Sequence, residues 1–281
     1  MIVDAHHHLW RYKTGFKTWL EDRDELASLR RDFLGDELAG MLRENGVDRT
    51  VVVQAEDSLD DSRFMIDAAR AHSFIAGIVA WAPLDDPAAT DSALDAYARE
   101  TKVKGLRHMY LWDPDPDWLV RPNVLESLAL VAARGYAWDN TAVTARHLEH
   151  VCTVAGRVPA LRQVIDHLGK PPVIAGLWEP WASLMKRASE FPNVHVKLSA
   201  PLKVTEVADS TTIAQCRRYV YHVLEHFGAQ RVMVASNWPV CNVFADYATT
   251  WSQMLDLVRG LDSIDQAFVM GATATGFYNL D

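Results

Sequence analysis

Residues 1–10 read MIVDAHHHLW. The run Ile2–His6 has the apolar start of a β-strand and ends in polar side chains. Alternation along a strand puts Asp4, His6 and His8 on one face and His7 on the other. That is the arrangement expected where a buried strand opens at its C-terminal end onto a ligand site. The flanks IVDA and LW read as native strand, so the three histidines belong to the fold rather than to a tag. His7, on the opposite face, is expected to pack between strand and helix.

Working outward, seven further β-rich runs follow: Thr50–Gln54, Ile75–Trp81, Val103–His108, Tyr136–Asp139, Gln163–His167, Val194–Ser199 and Arg231–Ser236. After a first gap of about 48 residues they recur every 25 to 37 or so, a spacing that fits one strand and one helix per unit. Helical patterns lie between them. Asn123 is read as the cap of Val124–Arg134, which Gly135 ends. Thr144 opens a stretch with Leu148, Val151, Cys152 and Ala155 on one face, closed by Gly156. Ile213–Phe227 repeats the pattern with Ile213, Cys216, Val220, Val223, Leu224 and Phe227 and ends at Gly228. Eight alternations predict an α/β fold, a single-domain (β/α)8 barrel over residues 1–281. The competing open, doubly wound sheet lacks a GxGxxG after its first strand, which weakens a dinucleotide-binding version of it.

The chain has 281 residues, 28 Lys+Arg against 37 Asp+Glu, 49% hydrophobic residues and 23% charged. The apolar content excludes low-complexity disorder. Three cysteines, Cys152, Cys216 and Cys241, are too few for a disulfide scaffold. The net charge of −9 argues against nucleic acid or an anionic membrane as partner. No apolar run reaches the length of a membrane span and no secretion signal opens the sequence. The expectation is a cytoplasmic protein with a small-molecule ligand; oligomeric state is left open.

A barrel places reactive side chains at the C-terminal ends of its strands. Polar residues stand there repeatedly: His6 and His8, Gln54, Arg107 and His108, Asp139, Asp166 and His167, Lys197 and Ser199, Asn237. Lys197, in the apolar run VHVKLS, shares a face with His195 and Ser199. It is expected near the barrel centre with a partner such as Asp4. Cys241 is read as a packing residue beside Pro239, and Ser199 lacks the GxSxG context of a serine nucleophile.

These motifs resemble a known family. IVDAHHHLW, VVVQAE, GLRHMY, VIDHLGKP, VHVKLSA and RVMVASNWPVC are similar, in order and over Ile2 to Cys241, to the sugar-lactonase-like branch of the amidohydrolase superfamily, which includes L-fuconolactonase, L-rhamnonolactonase and pyrone-dicarboxylate lactonase. The resemblance implies a (β/α)8 barrel and hydrolysis of a cyclic ester. It also implies an Asp at position 237 that takes the proton of the attacking water. This chain departs there, with Ser236-Asn237-Trp238-Pro239. A carboxamide neither accepts a proton as a carboxylate does nor carries charge for a cation. Two explanations stand: a deliberately inactivated variant, or a natural protein that uses another base or has lost hydrolysis. Either way this copy is expected to be slow or inactive.

The expected catalytic set is Asn237 (as the site of the base), His6, His8 and His167, with Arg107, His108, Gln54, Trp81, Lys170 and Trp238 around the substrate. The fourth run ends Arg107-His108 and the fifth Trp138-Asp139-Asn140, so the bridging lysine and the histidine that a two-metal site needs are missing. Lys104 lies too deep in its strand. No cofactor is expected to be required. At most one divalent ion such as zinc is expected, held weakly by His6 and His8 with help from His167. Loop aromatics (Trp10, Tyr12, Phe16, Trp19, Trp112, Trp118, Trp178, Trp181) are expected to wall the mouth and suit a larger or less polar lactone than a plain sugar lactone. Two alternatives remain: a metal-dependent decarboxylase of the same superfamily, and a ligand-binding pseudoenzyme.

Overall fold

The structure is a computed structural model that describes residues 1–13, 18–21, 23–199 and 210–280. Phe16 lies outside these residues, and the side chain of Ile213 is likewise not described. Eight parallel strands form one sheet in sequential order: β1 (Val3–His7), β2 (Arg49–Val53), β3 (Ile75–Ala80), β4 (Val103–Arg107), β5 (Ala137–Asn140), β6 (Gln163–Ile165), β7 (Val194–Leu198) and β8 (Val232–Val234). The ring closes where the chain beyond β8 returns to β1. Asn237 N donates to His6 O at 2.8 Å and His8 N to Trp238 O at 2.6 Å. Every strand is buried on both faces, as a parallel barrel ringed by helices requires. The predicted strands are all present, with ends shifted or trimmed by one or two residues.

The helices are α1 (Thr18–Glu21), α2 (Gly35–Glu44), α3 (Leu59–Ala71), α4 (Pro87–Tyr97), α5 (Pro122–Ala133), α6 (Ala145–Arg157), α7 (Trp181–Ser189), α8 (Ser210–Phe227), α9 (Tyr247–Val258), α10 (Ser263–Ala267) and α11 (Thr273–Tyr278). Thr144 caps α6 through His147 N as expected. Several boundaries differ from expectation. α8 starts at Ser210 rather than Ile213. α5 starts two residues earlier, at Pro122, whose fixed φ suits the first helical position. Asn123 therefore sits inside the helix, and its Nδ2 donates to Asp85 O at 2.6 Å instead of capping. α6 continues through Gly156 to Arg157.

The barrel interior divides in two. The half at the strand N-termini is filled by Val3, Val51, Val53, Val79, Val164 and Met233 and stoppered from below by Phe277, Tyr278 and Leu280 at the end of the chain. The half at the strand C-termini carries the polar residues. α11 reaches up into the boundary: Tyr278 Oη donates to Asp139 at 2.8 and 2.9 Å.

Candidate active site

Asp4 is the staple that shapes the rim. It is fully buried, and its carboxylate accepts from Ser236 N (2.8 Å), Ser236 Oγ (2.6 Å) and Tyr247 Oη (3.2 Å). Burial raises its pKa to about 6 against these donors. Ser236 Oγ in turn accepts from Trp238 N at 3.0 Å. The loop between the two, Asn237, is pinned on both sides with φ at +58°, a conformation that asparagine tolerates better than most residues. Its Oδ1 is buried and has no hydrogen-bond partner among the described residues.

His6 and His8 do share a face, and their rings meet edge to face with Nε2 atoms 3.1 Å apart. His8 Nδ1 sits 2.8 Å from Val53 O. A carbonyl only accepts, so that nitrogen carries the proton and His8 Nε2 is an acceptor. His7 turns outward to Thr50 Oγ1 at 2.9 Å, the packing position expected for it. Burial is the main cause that holds His6, His8 and His167 well below the ordinary histidine pKa, so all three rings are neutral near pH 7.

His167 reaches the site through a strained turn. His167, Leu168, Gly169 and Lys170 have φ of 55°, 56°, 63° and 49°. Three of these are not glycine, and each left-handed residue costs roughly 1–2 kcal/mol. The turn is held by Trp181 Nε1 donating to Leu168 O (2.8 Å) and by the 2.8 Å contact of His167 Nδ1 with Ser199 Oγ. The return for that strain is position: the His167 ring lies 4.7 Å from the His6 ring, and its edge lines the pocket.

Lys197 is wholly buried at the barrel centre, as alternation predicted, but Asp4 is not its partner. Its Nζ lies 2.5 Å from Asp139, 3.2 Å from Asp166 and 3.1 Å from His6 Nδ1. Asp4 faces β8 and is used up there. Arg107 is the second buried cation. It donates to Gln54 O at 2.9 Å and Gln54 Oε1 at 3.3 Å, pairs with Asp166 at 3.1 Å and stands 3.4 Å from His6 Nε2. Burial alone would raise the Asp166 pKa; Lys197 and Arg107 outweigh it and hold it below the usual range. Burial lifts Asp139 to about 6 against Lys197.

An open-mouthed pocket of about 710 Å³ lies above this cluster. His8, Arg107, Asp166, His167, Lys170 and Asn237 line it, together with an apolar wall that includes Leu26, Met109, Leu111 and Val240. Trp19 and Trp112 stack at 5.8 Å over its entrance. The other expected residues stand behind it. His6 is fully covered beneath His8 and Arg107. Gln54 anchors Arg107. His108 stacks on Trp118, accepts from Trp81 Nε1 at 3.0 Å and faces Asp57 at 3.5 Å. Trp238 is fully buried against Phe33, and Trp10 and Trp118 are also core residues. Trp178 and Trp181 pack on Tyr219 and His222 of α8. Cys241 is buried with its thiol pushed up to about 12, consistent with packing. Arg23, Leu26 and Asp57 had no sequence signal: they come from loops whose paths only the fold defines.

For a metal, the donors that gather are His6, Asp166 and His167, one atom each within 4.8 Å of one another. His8, expected as a ligand, is not in this group. The donors are also covered. Lys197 and Arg107 sit on both His6 nitrogens and both Asp166 oxygens at 3.1 to 3.4 Å. With two fixed cations in place and a carboxamide at position 237, this set does not fit a resident divalent ion.

Comparison with known proteins agrees with the geometry. A family model described as amidohydrolase matches residues 3–280. An L-fucono-1,5-lactonase of Burkholderia ambifaria is 36% identical over 99% of this chain and 96% of its own length. An L-fucono-1,5-lactonase of Burkholderia multivorans is 28% identical over 99% and 96%. The crystal structure of an amidohydrolase from Burkholderia multivorans, with bound zinc, superposes with a TM-score of 0.93 at 26% identity and covers all of both chains. The closed eight-stranded barrel, the polar rim and the family match over nearly the whole chain lead to one conclusion: this chain belongs to the amidohydrolase family.

Proposed function

We propose that the pocket binds a lactone and opens it to a hydroxy acid by attack of water, with position 237 as the site of proton acceptance. The observation that carries this reading is convergence: His8, Arg107, His167 and Asn237, from four different strand ends, line one pocket. The curated relatives named as L-fucono-1,5-lactonases support the same class of substrate.

Arg107 supplies fixed positive charge for the carbonyl oxygen as it becomes an oxyanion, and Asp166 and Gln54 hold the guanidinium still. The neutral rings of His8 and His167 flank the carbonyl without competing for the proton. With a carboxylate at position 237, water loses its proton to it as the water oxygen bonds to the carbonyl carbon. The ring C–O bond then breaks, and the departing oxygen takes the proton. With asparagine there, the unpartnered Oδ1 can orient the water but not deprotonate it, so this chain as it stands binds the lactone and turns it over slowly. No metal is assigned a step, since Lys197 and Arg107 occupy the donor atoms of His6 and Asp166.

The test is a comparison of the unchanged chain with Asn237→Asp on L-fucono-1,5-lactone and other 1,5-lactones. The variant is expected to raise kcat by at least about tenfold, a floor under the usual worth of a general base. Equal rates, both well above background, would take position 237 out of the mechanism and move proton acceptance to His167. Binding without turnover in both forms would favour a pseudoenzyme.

A further inference from the structure

A second group of ligating side chains lies outside the barrel, away from the pocket. His222, Glu225 and His226 occupy positions i, i+3 and i+4 of α8, so they share one face. One ring nitrogen of each histidine and a carboxylate oxygen lie within 4.8 Å of one another. The two rings are 4.5 Å apart and nearly perpendicular.

The independent sign of a site is how His222 is held. Its Nε2 lies 2.9 Å from Ala182 O on α7. A carbonyl only accepts, so Nε2 carries the proton and Nδ1 keeps its lone pair. The ring is also wedged between Trp178 at 4.9 Å and Trp181 at 5.5 Å. A histidine that ligates a metal characteristically donates its other ring N–H to a carbonyl, which fixes tautomer and orientation. His222 has that support already in place. The groups that face the cluster are Lys186 on α7, which acts against a cation, and Glu225, which acts for one; burial and His222 keep His226 below the ordinary histidine pKa.

We propose that His222, Glu225 and His226 bind one first-row transition-metal dication of the zinc class on the outer face of α8. Two imidazoles and one carboxylate suit zinc, cobalt or nickel better than magnesium or calcium. Ligand distances of about 2.0–2.2 Å need only a small inward turn of His226 and Glu225, both at the surface. The contrast with the pocket is direct. There, Lys197 and Arg107 sit on the donors of His6 and Asp166; here, no ion pair engages Glu225 and no hydrogen bond holds the His226 ring among the described residues. The protein is therefore expected to take its first equivalent of cation on the helix ring rather than in the barrel.

The experiment uses the whole, tag-free chain stripped with chelator, titrated with Co²⁺ and followed by its visible d–d bands, with Zn²⁺ followed by thermal shift. One equivalent of Co²⁺ with four- or five-coordinate bands and a higher Tm in Zn²⁺ are expected. His226→Gln, a half-buried surface change, should weaken binding by at least about tenfold, and Glu225→Gln should also weaken it. His167→Asn should leave the first equivalent in place. Unchanged binding in His226→Gln, loss of the first equivalent in His167→Asn, or no binding by the unchanged chain would each overturn the proposal.

Discussion

The two halves of the barrel interior obey opposite rules. Below, valines, alanines and methionine from the strands meet Phe277, Tyr278 and Leu280, and a single left-handed residue, Asn279 at the end of α11, turns the chain there. Above, four residues in a row are left-handed at His167–Lys170, Asn237 is left-handed, and a lysine, an arginine and two aspartates are buried together. The lower half holds the fold; the upper half spends part of that stability on placing polar groups. The boundary is the Tyr278–Asp139–Lys197–Asp166–Arg107 chain, in which each charge has an opposite neighbour.

The largest expected effect breaks the boundary. Lys197→Met leaves Asp139 and Asp166 without their shared cation, and urea denaturation should show a loss of about 3–5 kcal/mol, with activity lost too. A loss under about 1 kcal/mol would mean the boundary bears little weight. Phe277→Ala, in the lower half, should cost a similar ~3–5 kcal/mol by opening a cavity, yet leave kcat per folded molecule unchanged. A fall in kcat would show that the halves are not separable.

The sequence made the upper half legible residue by residue and the boundary only in part. Period-2 alternation placed His6, His8 and Lys197 on inward faces, and strand ends identified Arg107, Asp166, His167 and Asn237. Alternation alone does not show the register shift in β1 between Asp4 and His7, which takes Asp4 off the face of His6 and His8 and toward Ser236 and Tyr247; Lys197 therefore meets Asp139 and Asp166 rather than the expected Asp4. Nor does alternation separate residues that line a pocket from those directly beneath: His6, Gln54, His108 and Trp81 support the wall from behind. The lower plug had no signal, because the apolar pattern of residues 263–280 looks like any surface helix until its place under the barrel is known. The turn at His167 was equally hidden, since only Gly169 among its four residues is a usual left-handed residue.

Smaller effects sharpen the contrast. Asn237→Asp should change kcat as described while moving Tm little, because asparagine and aspartate have the same shape and both tolerate a positive φ. A large fall in Tm would mean that the rim is sensitive to charge alone. pH probes the lower half. His195 lies against Phe277 at 4.6 Å, and burial lowers its pKa to about 4. Above pH 6.5 it is neutral whether the chain is folded or not; as pH falls from 6.5 toward 4 the unfolded chain takes up the proton first, so its contribution to stability is lost over that window. Asp4 and Asp139, raised to about 6, work in the opposite sense: their contribution is full below about 3.8 and fades as pH rises through 6. His195→Gln should therefore flatten the fall of Tm on the acid side. An unaltered slope would assign it to other groups.

A crystal structure of the unchanged chain soaked with L-fucono-1,5-lactone tests lactone binding most directly. An intact ring is expected in the pocket, its carbonyl oxygen against the Arg107 guanidinium and its carbonyl carbon facing the Asn237 side chain. A ring bound with its carbonyl turned away from both, or seated outside this pocket, would contradict the proposed function.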